Sequence, residues 1–277
     1  VARTGNLDIN NTRIVADGNI AAQAADKTNI DNSLLEAKNS VNNSIKKDVL
    51  ITGGTTGIDI NDSVAYASGN VDIYSRYSNV NTAGDINITS TPKNGENQTL
   101  IIAEDDLSIE GRNTKIDNSS LAYKNIKFYN KNTNGINNVT VKNDSTFTQV
   151  GSDGKGTGNV VLETNGNFTM DKATMRSAGV NYNTAADDKT AGAFDFTVHV
   201  TPATAKNIDI TSTEGNVTVQ NASDIKATND ITLTSNKKNV TVKDSKLTAN
   251  NNINANAAQN ADIDNSTLLA NNDVNVT

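Results

Sequence analysis

Apolar residues recur at every second position in short runs along the whole chain, and the runs are spaced by polar steps. Residues 240–255, VTVKDSKLTANNNINA, show the arrangement in one line: Val240 and Val242, then Leu247 and Ala249, then Ile253 and Ala255. The same line returns as LDINNTRIVADGNIAA from Leu7, IDINDSVAYASGNVDI from Ile58 and FTMDKATMRSAGVNY from Phe168, with shorter echoes IDNSLLEA, IDNSSLAY and IDNSTLLA from Ile30, Ile116 and Ile263. A spacing of two is the strand signature, and nowhere is it replaced by the three-to-four spacing of a helix. Val217, Val240 and Ile263 lie about 23 residues apart and Ile231, Ile253 and Val274 about 21 to 22 apart, within the range of solenoid repeats. Each period holds three strands of three to five residues.

Strands this short gain stability only when each lies on its equivalent in the next repeat. The predicted fold is therefore all-β: a right-handed parallel β-helix of about 12 coils, each of roughly 20–23 residues with three short strands. At about 4.8 Å per stacked strand such a rod is on the order of 55–60 Å long. Residues 1–277 read as one such segment of a longer protein, since the chain begins and stops inside repeats. Open ends of this kind suggest end-to-end self-association.

Composition sharpens the picture. Hydrophobic residues make up 35% and aromatics 4%, with no Trp and two Pro, enough for a narrow Val/Ile/Leu/Ala core and too little for a wide one. About one residue in six is Asn. Asn and Asp tolerate left-handed backbone and bond their own main chain at turns, so the recurring pairs Asn11-Thr12, Asp62-Ser63, Asn118-Ser119, Asp244-Ser245 and Asn265-Ser266 are expected corners. Stacked copies of them are expected to form side-chain ladders. A net charge of −7 with no basic stripe argues against nucleic acid as a partner. Cysteine is absent, and no apolar run, Leu100-Ile101-Ile102-Ala103 included, is long enough to span a bilayer.

Function on a solenoid sits where the repeat is interrupted. Three interruptions stand out as extruded loops: residues 92–98, 151–158 and 183–207. The last follows Val180, taken as a third strand, and precedes Ile208, taken as a first strand; it contains an alternating run, residues 194–200, that fits a hairpin. No catalytic, cofactor or metal constellation assembles. His199 is the sole His and falls within that run, and Glu104-Asp105-Asp106 and Asp187-Asp188 lack calcium-loop spacing and read as solvated corners. Sequons such as Asn87-Ile88-Thr89, Asn138-Val139-Thr140, Asn216-Val217-Thr218 and Asn239-Val240-Thr241 arise automatically from the pattern Asn-apolar-Thr. Candidate partner contacts are Tyr74, Arg76 and Tyr77, which cluster with Tyr66, and Asp187, Asp188 and Lys189 in the longest loop.

The rungs GNVDI, GDINI, GNVTV and NDITL, interleaved with NNTRIVA and KDSKLTA, resemble the repeats of filamentous haemagglutinin-like adhesins, exoproteins of two-partner secretion systems that include contact-dependent inhibition proteins. The resemblance covers nearly the whole chain outside the loops. It implies an interior shaft of a secreted, surface-exposed bacterial protein, extracellular and without enzymatic activity or cofactor, that mediates attachment to host cells, other bacteria or matrix through protein or glycan. It also implies glycosylation of sequons in some relatives. The family's secretion domain with its NPNGI-like stretch and its C-terminal toxin modules have no counterpart here. Two other readings stay open: a self-assembling surface layer or fibre, and a β-helical polysaccharide lyase or hydrolase, which would need paired carboxylates on neighbouring coils.

Overall fold

In the computed structural model the described residues are 1–39, 45–75, 83–91, 99–128, 138–149, 160–164, 166–176, 182–185, 195–198 and 207–277. They are all-β, without a helix. Each run of alternating residues forms a strand, and each strand pairs in parallel with its counterpart one repeat on. Three ladders result. The first is a ten-stranded parallel sheet from Leu7–Asn10 through Lys27–Asp31, Gly57–Asn61 and so on to Val240–Lys243 and Ala261–Asp264. The second runs from Arg13–Ala16 to Thr267–Ala270 and the third from Ile20–Gln23 to Val274–Val276. Two long strands, Thr99–Glu110 and Ser119–Phe128, belong to both of these ladders and join them into one sheet. One strand from each ladder makes a level.

The described residues form ten levels, where about 12 coils are expected from the sequence. The reason is that several levels carry extra chain: Leu7 pairs with Thr28, 21 residues on, but Thr28 pairs with Ile58, 30 on, and Phe168 with Val217, 49 on. Two details of register also differ from the expectation. Ile263 pairs with Val242 and not with Val240, a two-residue difference that leaves the same side chains facing inward. Ile208–Ser212 pairs with Val160–Thr164 in the third ladder, so the long interruption separates a second strand from a third. First and third strands both begin with Asn or Gly before an apolar pair, and sequence cannot tell them apart there. Likewise residues 92–98 follow the first-ladder strand Ile86–Thr89, not a third strand.

Inward residues form one continuous core. The first ladder contributes Ile30, Ile60, Ile88, Ile116, Val141, Met170, Val219 and Val242 in a single file. Phe147 packs between Tyr123 and Phe128, with ring centroids 6.4 and 6.1 Å away. The core stays narrow because each level supplies only about six side chains, the limit that the composition set.

The corners account for the Asn excess. Asn11, Asn32, Asp62, Asn118, Asp244 and Asn265 all take φ between 42° and 50°, the left-handed turn out of the first ladder. Lys172 occupies the same conformation without the favourable residue type. Just beyond, serines bridge levels: the Thr12 amide donates to Ser33 Oγ, Ser33 to Ser63 Oγ, Ser119 to Ser145 Oγ and Ser245 to Ser266 Oγ, at 3.0–3.2 Å. At the corner into the first ladder the amides of Asn138, Asn167, Asn216, Asn239 and Asn260 donate in turn to Oδ1 of Asn113, Asn138, Asn167, Asn216 and Asn239, at 2.8–3.1 Å. These ladders satisfy backbone donors where strand pairing stops, which would otherwise cost about 1–3 kcal/mol each where buried. The sequon residues Asn138, Asn216 and Asn239 therefore serve the turn.

Candidate partner-contact surface

Outward positions on the three ladders are mostly Asn, Asp, Thr and Lys, as alternation requires. The second ladder breaks this rule over levels two to five. Its inward file is Leu35, Ala65, Ile101 and Leu121, yet the outward neighbours Leu34, Tyr66, Ile102 and Ala122 are buried as well and form a second apolar cluster, with Val64 and Leu100 packed against it. Ile102 is fully buried and Tyr66 is 7% exposed. Farther along the same ladder the outward residues Lys226 and Lys246 are exposed.

Charged groups frame this cluster. Glu36, only 3% exposed, sits beside Tyr66 in register; Lys38 Nζ meets its Oε1 as an ion pair without hydrogen-bond alignment, and Arg13 approaches its Oε2 at 4.0 Å. Glu104 accepts from Tyr66 Oη at 2.6 Å and from Lys46 Nζ at 2.8 Å. Burial first, then the hydrogen bond and charge of Glu104, raise the Tyr66 phenol far above its ordinary range. Residue 46 thus ties to a strand two levels away, and the Lys47 amide donates to Ser68 Oγ where this segment rejoins the stack.

The acidic trio lies at the edge of this surface. Glu104 is engaged as above, Asp105 pairs with Lys124 at 3.4 Å and Asp106 accepts from Asn125 Nδ2 at 2.5 Å. The strand register shifts between Ala103 and Asp106, so this corner is a bulge in a strand that runs straight through. Among the described residues no three His, Cys, Asp or Glu side chains gather in a way that could hold a metal ion. Nearby, Asp85 is gripped by Arg112 through Nε at 2.9 Å and Nη2 at 3.1 Å. That bidentate bond, opposed by partial burial and aided by Asn113, holds the Asp85 carboxyl below its ordinary value.

Of the residues singled out in the sequence, Tyr74 is described. It points outward from the third ladder and its Oη donates to Asp72 Oδ1 at 2.9 Å; burial, then the Asp72 charge, pushes its phenol up to about 12. Tyr66 stands on a different ladder, so the two tyrosines that adjoin in sequence face different sides. Arg76, Tyr77, Asp187, Asp188, Lys189 and His199, with residues 92–98 and 151–158, lie outside the described residues. Overlapping the interruption 183–207, strand Tyr182–Ala185 pairs antiparallel with Asp195–Val198, in a two-stranded sheet of their own.

Alternation alone does not reveal the outer cluster, but strands buried on both faces carry unbroken apolar runs, here Leu34-Leu35 and Leu100-Ile101-Ile102-Ala103. Comparison with protein-family models, curated proteins and solved structures finds no match.

Proposed function

We propose that the chain winds as a right-handed parallel β-helix and serves as the structural and adhesive shaft of a bacterial surface-exposed or secreted exoprotein of the filamentous haemagglutinin-like kind. The observation that carries this reading is the stacking itself. Among the described residues ten levels repeat the same three parallel pairings, and the side chains that break the pattern build corners and an outer cluster. A stack of this design supplies length and rigidity from small, nearly identical increments. Extra chain lies between paired strands at several levels, and loops mounted on a rigid scaffold are where binding groups concentrate. No helix among the described residues is long and apolar enough to cross a membrane.

Contacts with a cell, matrix or glycan partner fall on the excursions, with Asp187, Asp188 and Lys189 in the longest, and on Tyr74, Arg76 and Tyr77. The test compares binding of the chain, and of a version lacking residues 183–207, to glycan arrays and to whole cells. Binding by the full chain and its loss in the deletion variant are expected. Unchanged binding by the variant moves the contact off that excursion. No binding by either, or release of reducing or unsaturated ends from polysaccharides, overturns the adhesive reading.

A further inference from the structure

We infer that the stack is built in two blocks of unequal stability, and that it opens from the block with the single core. In the first, Lys27 to Phe128, the second ladder is sealed on both sides. Leu35, Ala65, Ile101 and Leu121 pack inward while Leu34, Tyr66, Ile102 and Ala122 are buried outward. In the second, Val217 to Ala257, the same ladder buries Ile225 and Leu247 inward and presents Lys226 and Lys246 to solvent.

Two further features separate the blocks. At two levels of the first block, ladders two and three are continuous through Thr99–Glu110 and Ser119–Phe128, so there neither ladder can open without the other; in the second block Asp224–Ala227 and Ile231–Ser235 are separate strands. The Lys46–Glu104 pair, with Tyr66 on the same carboxylate, spans three levels, whereas the ion pair Lys243–Asp264 joins neighbouring levels at 3.9 Å with both side chains more than half exposed. The ion pairs act mainly to fix geometry, since pairs open to solvent contribute little; the buried outer cluster supplies the difference.

In a quasi-one-dimensional stack, stability sums over levels and their interfaces, so unequal levels open independently. A shaft built this way yields first over Val217 to Ala257 and keeps Lys27 to Phe128 folded.

Native-state hydrogen exchange of the full chain, read by mass spectrometry, tests this. Amides of Leu34–Ala37, Val64–Ala67 and Leu100–Ala103 are expected to exchange at least about tenfold more slowly than those of Asp224–Ala227 and Lys246–Ala249. Ile102→Ala keeps the inward core intact and should bring the first set to within a few-fold of the second, while Thr248→Ala leaves both unchanged. Equal protection of the two blocks in the unmodified chain overturns the inference. So does an Ile102→Ala effect spread evenly over both blocks.

Discussion

Ile102→Asp will destabilise the protein by on the order of 4 kcal/mol or more, whereas Thr248→Asp, at the same outward position of the same ladder, will change stability by less than about 0.5 kcal/mol. Both side chains point away from the main core by strand alternation, and pattern alone would treat them alike. Ile102, however, is fully buried between Tyr66 and Ala122, its partners on either side in the ladder. A carboxylate there enters an apolar layer beside Tyr66, whose hydroxyl is already committed to Glu104. Thr248 lies between Lys226 and Leu269 and is half-buried, so an added carboxylate keeps its water and gains a neighbouring ammonium. Urea unfolding followed by far-ultraviolet circular dichroism and by tyrosine fluorescence measures both. Because repeat stacks need not unfold in one step, the early part of each transition is compared as well as the midpoint.

Gly57→Ala should cost roughly 3 kcal/mol, against a near-neutral or slightly stabilising Gly18→Ala. Gly57 sits at φ +104°, a region where an L side chain is strained. A Cβ on it would lie 2.0 Å from the Asp85 carbonyl oxygen, the acceptor for the Ile58 amide at 2.9 Å. The obstruction is backbone, so no rotamer change relieves it. Moving Asp85 would loosen the pairing of Ile58 with Ile86 at the start of two first-ladder strands. Gly18 has open space around its Cβ direction and ordinary φ, and there alanine only restricts the unfolded chain. Thermal unfolding midpoints of the two variants provide the comparison.

Much of the architecture was legible because one physical rule repeats ten times. Val240, Val242, Leu247, Ala249, Ile253 and Ala255 were read as inward from spacing alone, and all six are buried. The Asn and Asp corners were legible for a related reason: left-handed backbone and self-bonding side chains leave a compositional mark. Lys172 holds the same turn without that mark, and there the fold overrides residue preference. Ile208 was misassigned because Asn-apolar-x-apolar opens both first and third strands. The outer cluster lay beyond a single-strand reading, since alternation tells which residues share a face and not what covers it. Its doubled apolar residues Leu34-Leu35 and Ile101-Ile102 are the mark that burial on both faces leaves in the sequence. The tyrosines show the opposite error: Tyr66 and Tyr74 are neighbours in sequence and belong to different ladders.

The central claim is that levels stack at a constant rise along one axis. Spin labels at Asn29 and Thr241, outward residues of the first ladder seven levels apart, measure it directly by electron–electron distance spectroscopy. At about 4.8 Å per level the account predicts one population near 34 Å, broadened by the label linkers. A main distance below about 20 Å, or a distribution without a dominant peak, would contradict the stack.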